Sequence, residues 1–283
     1  FKEATSVEES SAAHPNLDLL IRSLDTDTEN ADVWVTKWLV SCVASAYGYH
    51  SPLVLVLCGE LQGTGKSHWI RNLLPKKLRN LAADSKMDAG KDDEILMTKK
   101  WIILDDEYGG KSKREEKKLK ELTSKEWITV REPYGRVSVD LKRLAVFCGT
   151  SNDTQILNDP TGNRRVLPIH ILGINQDKYN KCDKDQLWHE LYRMYKAGYV
   201  HTILKEEIAM LNTNTESFKQ PTPEEELVYE NLAPGDANFG EWMTVTSIIQ
   251  YLILGTKINT LSNTKIGIIL NAAGFKGDRM RRN

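Results

Sequence analysis

The sequence predicts an α/β protein: a mostly parallel sheet flanked by helices, with a small helical segment ahead of it and a further helical module behind. Three observations predict it. Apolar runs of strand length recur at 53–58, 101–104, 144–148 and 166–171, and strands buried on both faces read as such runs rather than as alternations. Stretches of helical spacing separate them, as repeated strand-helix units require. The first run breaks at once into a glycine-rich turn, GELQGTGKS, the pattern of a strand feeding a helix through a phosphate-binding loop.

Length and composition bound the rest. A chain of 283 residues holds one sizeable core and smaller appendages. Hydrophobic content of 40% and charged content of 27% are those of a globular protein in water. No apolar run approaches the roughly 20 residues that a membrane helix needs, so no membrane partner is expected. Cys42, Cys58, Cys148 and Cys182 lie too far apart for a zinc pair or a redox CxxC, and a reducing compartment is expected. The net charge of −1 argues against a surface coated in positive charge, but residues 111–143 hold eleven Lys and Arg against six Asp and Glu. Such a local basic surface suits a polyanion met along one channel or groove. The chain begins at Phe1 with neither an initiator methionine nor a signal-peptide pattern, so it is expected to be part of a longer polypeptide.

In chain order, residues 1–14 are polar and acidic and read as a tail. Across 15–50, Leu17, Leu20, Ile21, Leu24, Val33, Trp34, Trp38, Leu39, Cys42 and Val43 recur at helical spacing. They predict a small helical subdomain in which the tryptophans pack. The core spans 51–210. Its second strand ends in Asp105, Asp106 and Glu107, and a charged helix at about 111–122 follows with a solvated face. Residues 127–130 and 137–139 flank Glu132-Pro133-Tyr134-Gly135, whose Pro and Gly suit a hairpin turn. The third strand runs into Gly149-Thr150-Ser151-Asn152, and Arg164 and Arg165 precede the fourth. Beyond 183, Leu187, Trp188, Leu191, Tyr192 and Tyr195 form one apolar stripe. Residues 211–222 are polar, contain Pro221 and read as a linker. The last block, 223–283, reads as two short helices and an unfinished hairpin, a truncated winged-helix-like module.

The candidate chemistry centres on Gly59, Gln62, Gly63, Thr64, Gly65, Lys66 and Ser67. Glycines let backbone N–H groups crowd around phosphate, a lysine reaches the outer phosphates, and a hydroxyl holds Mg²⁺. These residues predict bound ATP and Mg²⁺. The first glycine falls at 59, one place earlier than in the usual spacing, where Glu60 stands instead. Carboxylates after a buried strand supply the metal ligand and the group that orients or deprotonates water. In one register Asp106 serves the metal and Glu107 the water, which we favour; in the other they are Asp105 and Asp106. Asn152 stands where a polar group reaches the γ-phosphate or the water. Arg164 or Arg165 meets the need for positive charge on the transition state. Arg131, Tyr134, Arg136 and Lys142 around the hairpin turn suit a nucleic-acid strand. Arg143, just before the third strand, is another candidate for the nucleotide site.

The run KKWIILDDEYGGKSKREEKKLKELTSKEWITVREPYGRVSVDLKRLAVFCGTSN, followed by DPTGNRR, resembles the virulence-associated E family over roughly residues 50–200. That family comprises primase-helicase-like ATPases of phages and mobile elements, close to the superfamily 3 helicases of the AAA+ class. The resemblance continues into the C-terminal block through FGEWMTVTSIIQYL and LSNTKIGIILNAAGF. It implies a P-loop AAA+ core and matches Lys66 and Ser67 to the phosphate-loop pair, Asp106 and Glu107 to the Walker B acids, and Asn152 to the sensor. It matches Arg164 and Arg165 to a finger offered to a neighbouring subunit, and the Pro-Tyr-Gly-Arg element to a channel hairpin. It further implies a hexameric ring on single-stranded or forked DNA in the cytoplasm of a bacterial host, with a primase or polymerase domain upstream. An ATP-driven helicase is therefore the leading expectation. An initiator or regulatory ATPase using ATP as an assembly switch is the second, and a small-molecule P-loop kinase the third.

Overall fold

The computed structural model describes residues 14–87, 90–130, 138–157, 163–235, 240–254, 256 and 260–277. Along the chain the helices are α1 (Pro15–Ile21), α2 (Ala31–Ala46), α3 (Lys66–Arg71), α4 (Lys91–Lys99), α5 (Lys113–Ser124), α6 (Gln176–Lys181), α7 (Lys184–Lys196), α8 (Lys205–Glu216), α9 (Pro223–Asn231), α10 (Val245–Ile253) and α11 (Asn263–Ala272). The strands are β1 (Leu24–Asp25), β2 (Val54–Cys58), β3 (Ala82–Asp84), β4 (Ile102–Asp105), β5 (Trp127–Val130), β6 (Val139–Lys142), β7 (Val146–Ser151), β8 (Val166–His170) and β9 (Gly173–Ile174).

Five strands form one parallel sheet in the order β3-β4-β7-β2-β8. The alternation of side chains along β2 explains why all its residues are apolar. Leu53, Leu55 and Leu57 enter one core with Trp34, Trp38, Trp69, Leu187 and Leu191, whereas Val54, Val56 and Cys58 enter the other with Met97, Leu119 and Leu122. Helices therefore cover both faces, and the sheet is the middle of three layers. The edge strand β3, with the sequence Ala-Ala-Asp, carries too weak a pattern to be read from sequence.

Helices α1 and α2 have no core of their own. Trp34 and Trp38 are fully buried against the sheet, and the indole N–H of Trp38 donates to the Phe147 carbonyl at 2.8 Å. The segment expected as a separate subdomain is thus one of the sheet's covering layers, because its tryptophans fill the space over β2 and β7. On α7 the buried residues are Leu187, Trp188, Leu191 and Met194. Tyr192 lies off that stripe and is exposed, since five residues from Leu187 is about 140° around the helix. Helix α8 continues to Glu216, through half of the segment expected as a linker, because Leu211 and Thr215 bury against the rest. The charged helix α5 begins at a capping box in which Ser112 and Glu115 bond each other's backbone N–H.

The chain divides into two compact units, Phe1–Lys219 and Gln220–Asn283. In the second, α9, α10 and α11 surround Val228, Ile249, Leu252, Ile266, Ile269 and Leu270, and no strand occurs among its described residues. All four cysteines are free and buried. Among the described residues no helix is long and apolar enough to cross a membrane.

Candidate nucleotide site

The glycine-rich loop leaves β2 at the carboxyl end of the sheet, where open α/β sheets place their ligands. Gly59 is confined between neighbouring strands: its N–H donates to Ser151 O at 3.2 Å, and the next bond, Ile171 N–H to Cys58 O, is 2.7 Å. A Cβ at Gly59 would stand 2.4 Å from the Ile171 carbonyl oxygen. The early glycine has a cause in packing. Gly63 and Gly65 hold φ of 74° and 93°, so the turn itself also needs glycine.

Lys66 opens α3 and is buried. Its ammonium donates to the carbonyls of Gly59 at 2.8 Å and Leu61 at 3.0 Å, and burial lowers its pKa. The Thr64 hydroxyl oxygen is buried in the loop without a hydrogen-bond partner among the described residues. A buried cation held only by carbonyls and an unpartnered hydroxyl are groups that phosphate oxygens satisfy. Gln62 is exposed on the loop.

Helix α3 and the end of β7 converge on Asp106, just past β4. Ser67 donates to its Oδ1, Thr150 at the end of β7 donates to the same oxygen at 2.7 Å, and Arg71 reaches Oδ2 at 2.6 Å. Burial pushes this carboxyl's pKa up, but the donors Ser67, Thr150 and Arg71 outweigh it and the net direction is down. Arg71 also binds Asp84 at 2.7 Å. Neither Thr150 nor Arg71 was singled out from sequence. The available signal for Arg71 is its place four residues after Ser67, on the same helix face.

Asp105 points elsewhere. It is buried, its Oδ2 lies 2.6 Å from Lys111 Nζ, and its Oδ1 accepts from Glu107 N–H at 3.3 Å. Glu107 is exposed and pairs with Lys86 at 2.9 Å. Asn152 follows β7 and is exposed beside this cluster in sequence, one residue past the strand that separates β2 from β4. Beside the loop, Glu60 and Leu61 join Asp27, Glu29, His170 and Phe218 around a cleft of about 670 Å³, with His170 Nδ1 2.8 Å from Asp27. Sequence reasoning did not find that cleft.

Arg164 and Arg165 stand at the other end of the sheet. They immediately precede β8, whose Val166 is level with Val54 and whose His170 is level with Cys58. Four residues of strand, about 13 Å, therefore separate them from the start of their own loop. Arg165 donates to Ser124 Oγ at 2.7 Å and Lys120 O at 3.2 Å, and both arginines line a cleft of about 380 Å³ with His50 and His201. Arg143 does not belong to the nucleotide site. It is buried at the same far end, donates to the carbonyls of Leu122, Thr123 and Ser51, and burial pushes its pKa down to about 9. Of the nucleic-acid candidates, Arg131, Tyr134 and Arg136 lie outside the described residues. Lys142 is exposed on β6, 3.4 Å from Glu126 and over the Trp127 ring.

The sequence model of the virulence-associated protein E-like domain matches residues 12–220, most of the chain. The chain belongs to this family. The match takes in the loop, the acids, Asn152 and both arginines, and stops at the boundary between the two units. No curated protein matches the chain. Among solved structures, the apo structure of the NrS-1 C-terminal region (305–718) aligns with TM-score 0.46 and 20% identity, over 70% of this chain and 50% of that one. An A-form apo structure of the same region aligns with TM-score 0.44 and 19% identity at the same coverage. The chain thus spans about half the length of the structures it matches.

Proposed function

We propose that the chain is an ATP-dependent DNA motor built on a P-loop core of the AAA+ class, with ATP hydrolysed at subunit interfaces of a hexameric ring that translocates on or unwinds DNA. The single observation that carries this reading is the convergence of Ser67, Asp106 and Thr150 beside the glycine-rich loop. Membership of the virulence-associated protein E-like family supports a setting in phage or mobile-element replication.

The residues present suit a nucleoside triphosphate. Lys66 exchanges its two loop carbonyls for phosphate oxygens, and Thr64 Oγ1 gains a partner. The cleft beside Glu60 and Leu61 is of the size that takes a nucleoside. Ser67 and Asp106 would hold Mg²⁺, whereas Asp105 is committed to Lys111. Bound Mg²⁺ neutralises phosphate charge as it develops. Glu107 orients or deprotonates the attacking water, and Asn152 contacts the water or the γ-phosphate from the strand end between loop and acids. Arg164 and Arg165, at the far end of their own sheet, serve the site of the next subunit.

The C-terminal three-helix unit suits a second reading, in which a winged-helix-like module binds DNA and ATP acts as an assembly switch. One experiment tests both: ATP hydrolysis with and without single-stranded DNA, alongside strand displacement on a forked duplex. The motor reading expects stimulated hydrolysis and displacement. Stimulation without displacement supports the switch, and phosphate transfer to a small metabolite overturns both.

A further inference from the structure

The end of the sheet opposite the phosphate loop carries a cluster of tyrosines that the site above does not use. Helix α2 ends in Ala46, and the turn that follows reads Tyr47-Gly48-Tyr49, with both tyrosines more than half exposed. The Tyr47 ring stacks on Tyr192 at 5.9 Å and on Tyr195 at 5.4 Å, and Tyr49 meets Tyr195 edge-on at 6.3 Å. Gly48, at φ 83°, brings this turn against the hairpin: a Cβ there would be 3.6 Å from Lys142 Nζ. Lys142 lies in turn 5.4 Å from the centre of the Trp127 ring, which is 57% exposed. A continuous band thus runs from Trp127 through Lys142 to the four tyrosines.

Packing alone does not account for it. Four exposed aromatic rings, Tyr47, Tyr49, Trp127 and Tyr192, leave much apolar area in water, which a folded chain retains at interaction surfaces. The charge around the tyrosines is positive. Segments 43–53 and 191–204, which supply the tyrosines, contain no Asp or Glu, and the second adds exposed Arg193 and Lys196. Lys196 is one turn beyond Tyr192 on the same helix face. The described acids at the band are Glu126, 3.4 Å from Lys142, and Asp140, two residues before Lys142 on the same face of β6, where it accepts from the Thr129 hydroxyl at 2.6 Å. Aromatic faces interleaved with cations match a flexible polyanion whose subunits have flat faces, namely a single strand of nucleic acid.

The geometry points to a binding platform for single-stranded DNA, with bases stacked on the outer faces of Tyr49, Trp127 and Tyr192 and phosphates near Lys142, Arg193 and Lys196. It rests on the motor reading in taking DNA as the polymer. The inner rings do not take bases between them, because centroids 5.4 and 5.9 Å apart leave no room for another ring. The platform lies at the base of the β5–β6 hairpin and extends the nucleic-acid surface from the hairpin onto α2 and α7.

The test is fluorescence anisotropy of a labelled oligo(dT) with the full chain, in parallel with sedimentation velocity and DNA-independent ATP hydrolysis. Tyr49→Ala and Trp127→Ala are expected to weaken binding about five-fold or more each, with Tyr49→Phe close to the parent, because stacking needs the ring and not the hydroxyl. Lys142→Gln is expected to lower the salt dependence of binding by about one phosphate contact. Unchanged DNA-independent hydrolysis shows that the variants fold. If the parent binds the oligonucleotide and both alanine variants bind it equally well, the platform is overturned while the motor reading stands. Altered sedimentation with unaltered DNA binding makes the band a subunit interface and also overturns it. Failure of the parent itself to bind single strands removes the DNA part of both readings.

Discussion

The Ser67 hydroxyl donates to Oδ1 of Asp106, joining the first turn of the helix after the glycine-rich loop to the carboxylate that follows β4. The two residues are 39 positions apart and meet because β7 alone lies between their strands. Asp105, one residue earlier, faces Lys111 instead.

Lys66→Ala is expected to abolish ATP hydrolysis, since among the described residues no other cation is held inside the loop by its carbonyls. Phosphate release reads the loss, and an unchanged circular dichroism spectrum separates it from unfolding. Hydrolysis that survives the change would refute the assignment of the loop.

Thr150→Val removes one of the donors that hold the Asp106 carboxyl below its ordinary 3.8. The carboxylate then protonates at higher pH, and the acid limb of the ATPase pH profile moves up. The same linkage acts on stability. A depressed carboxyl contributes stability that is present above 3.8 and lost as pH falls through its lower folded value. On acidification below 3.8 the urea midpoint of Thr150→Val should therefore fall by less than that of the parent, and the fall should be complete at a higher pH.

The Arg71 guanidinium lies 2.6 Å from Asp106 Oδ2, where under the proposed function it would compete with Mg²⁺. Arg71→Ala is expected to lower the Mg²⁺ concentration for half-maximal hydrolysis by about two- to five-fold, the range that exposed ion pairs support. A Mg²⁺ titration at saturating ATP measures it; an unchanged or raised requirement would count against competition at this carboxylate.

The arginine pair and the loop lie at opposite ends of one chain's sheet. Subunits carrying Arg164→Ala and Arg165→Ala, inactive alone, are expected to regain hydrolysis when mixed with Lys66→Ala subunits. A mixed interface then unites an intact loop with intact arginines. No recovery at any mixing ratio would argue against a site shared between chains.

Gly59→Ala tests the packing cause of the early glycine. The added methyl meets the Ile171 carbonyl oxygen at 2.4 Å, and a backbone atom cannot move aside as a side-chain tip does. We expect a loss of about 1–3 kcal/mol in chemical denaturation. Gly63→Ala has open space around it and bears only the strain of its positive φ, so its loss should be smaller.

Much of the site was legible because its signals are local. The loop, the acids after β4, Asn152 after β7 and the basic segment each announce themselves within a dozen residues, as a glycine pattern or an apolar run ending in polar groups. The four main strands were legible for the same reason: strands buried on both faces carry apolar runs, as at Val54–Cys58 and at 144–148, where β7 begins. Register was not legible. Whether Asp105 or Asp106 meets Ser67 depends on which face of β4 each side chain leaves, and three consecutive acids carry no such label.

Amino-acid order alone determined an α/β chain with a glycine-rich loop and downstream carboxylates, because steric freedom, burial and charge are written in neighbouring residues. Tertiary structure alone decided which side chains meet. It put Trp34 and Trp38 over the sheet rather than in a domain of their own, buried Arg143 among carbonyls, turned Arg71 onto Asp106, and set Gly48 against Lys142, which lies over Trp127. Each of those contacts joins segments distant in sequence. The parallel order β3-β4-β7-β2-β8 brings their ends together, and no short window of sequence contains that order.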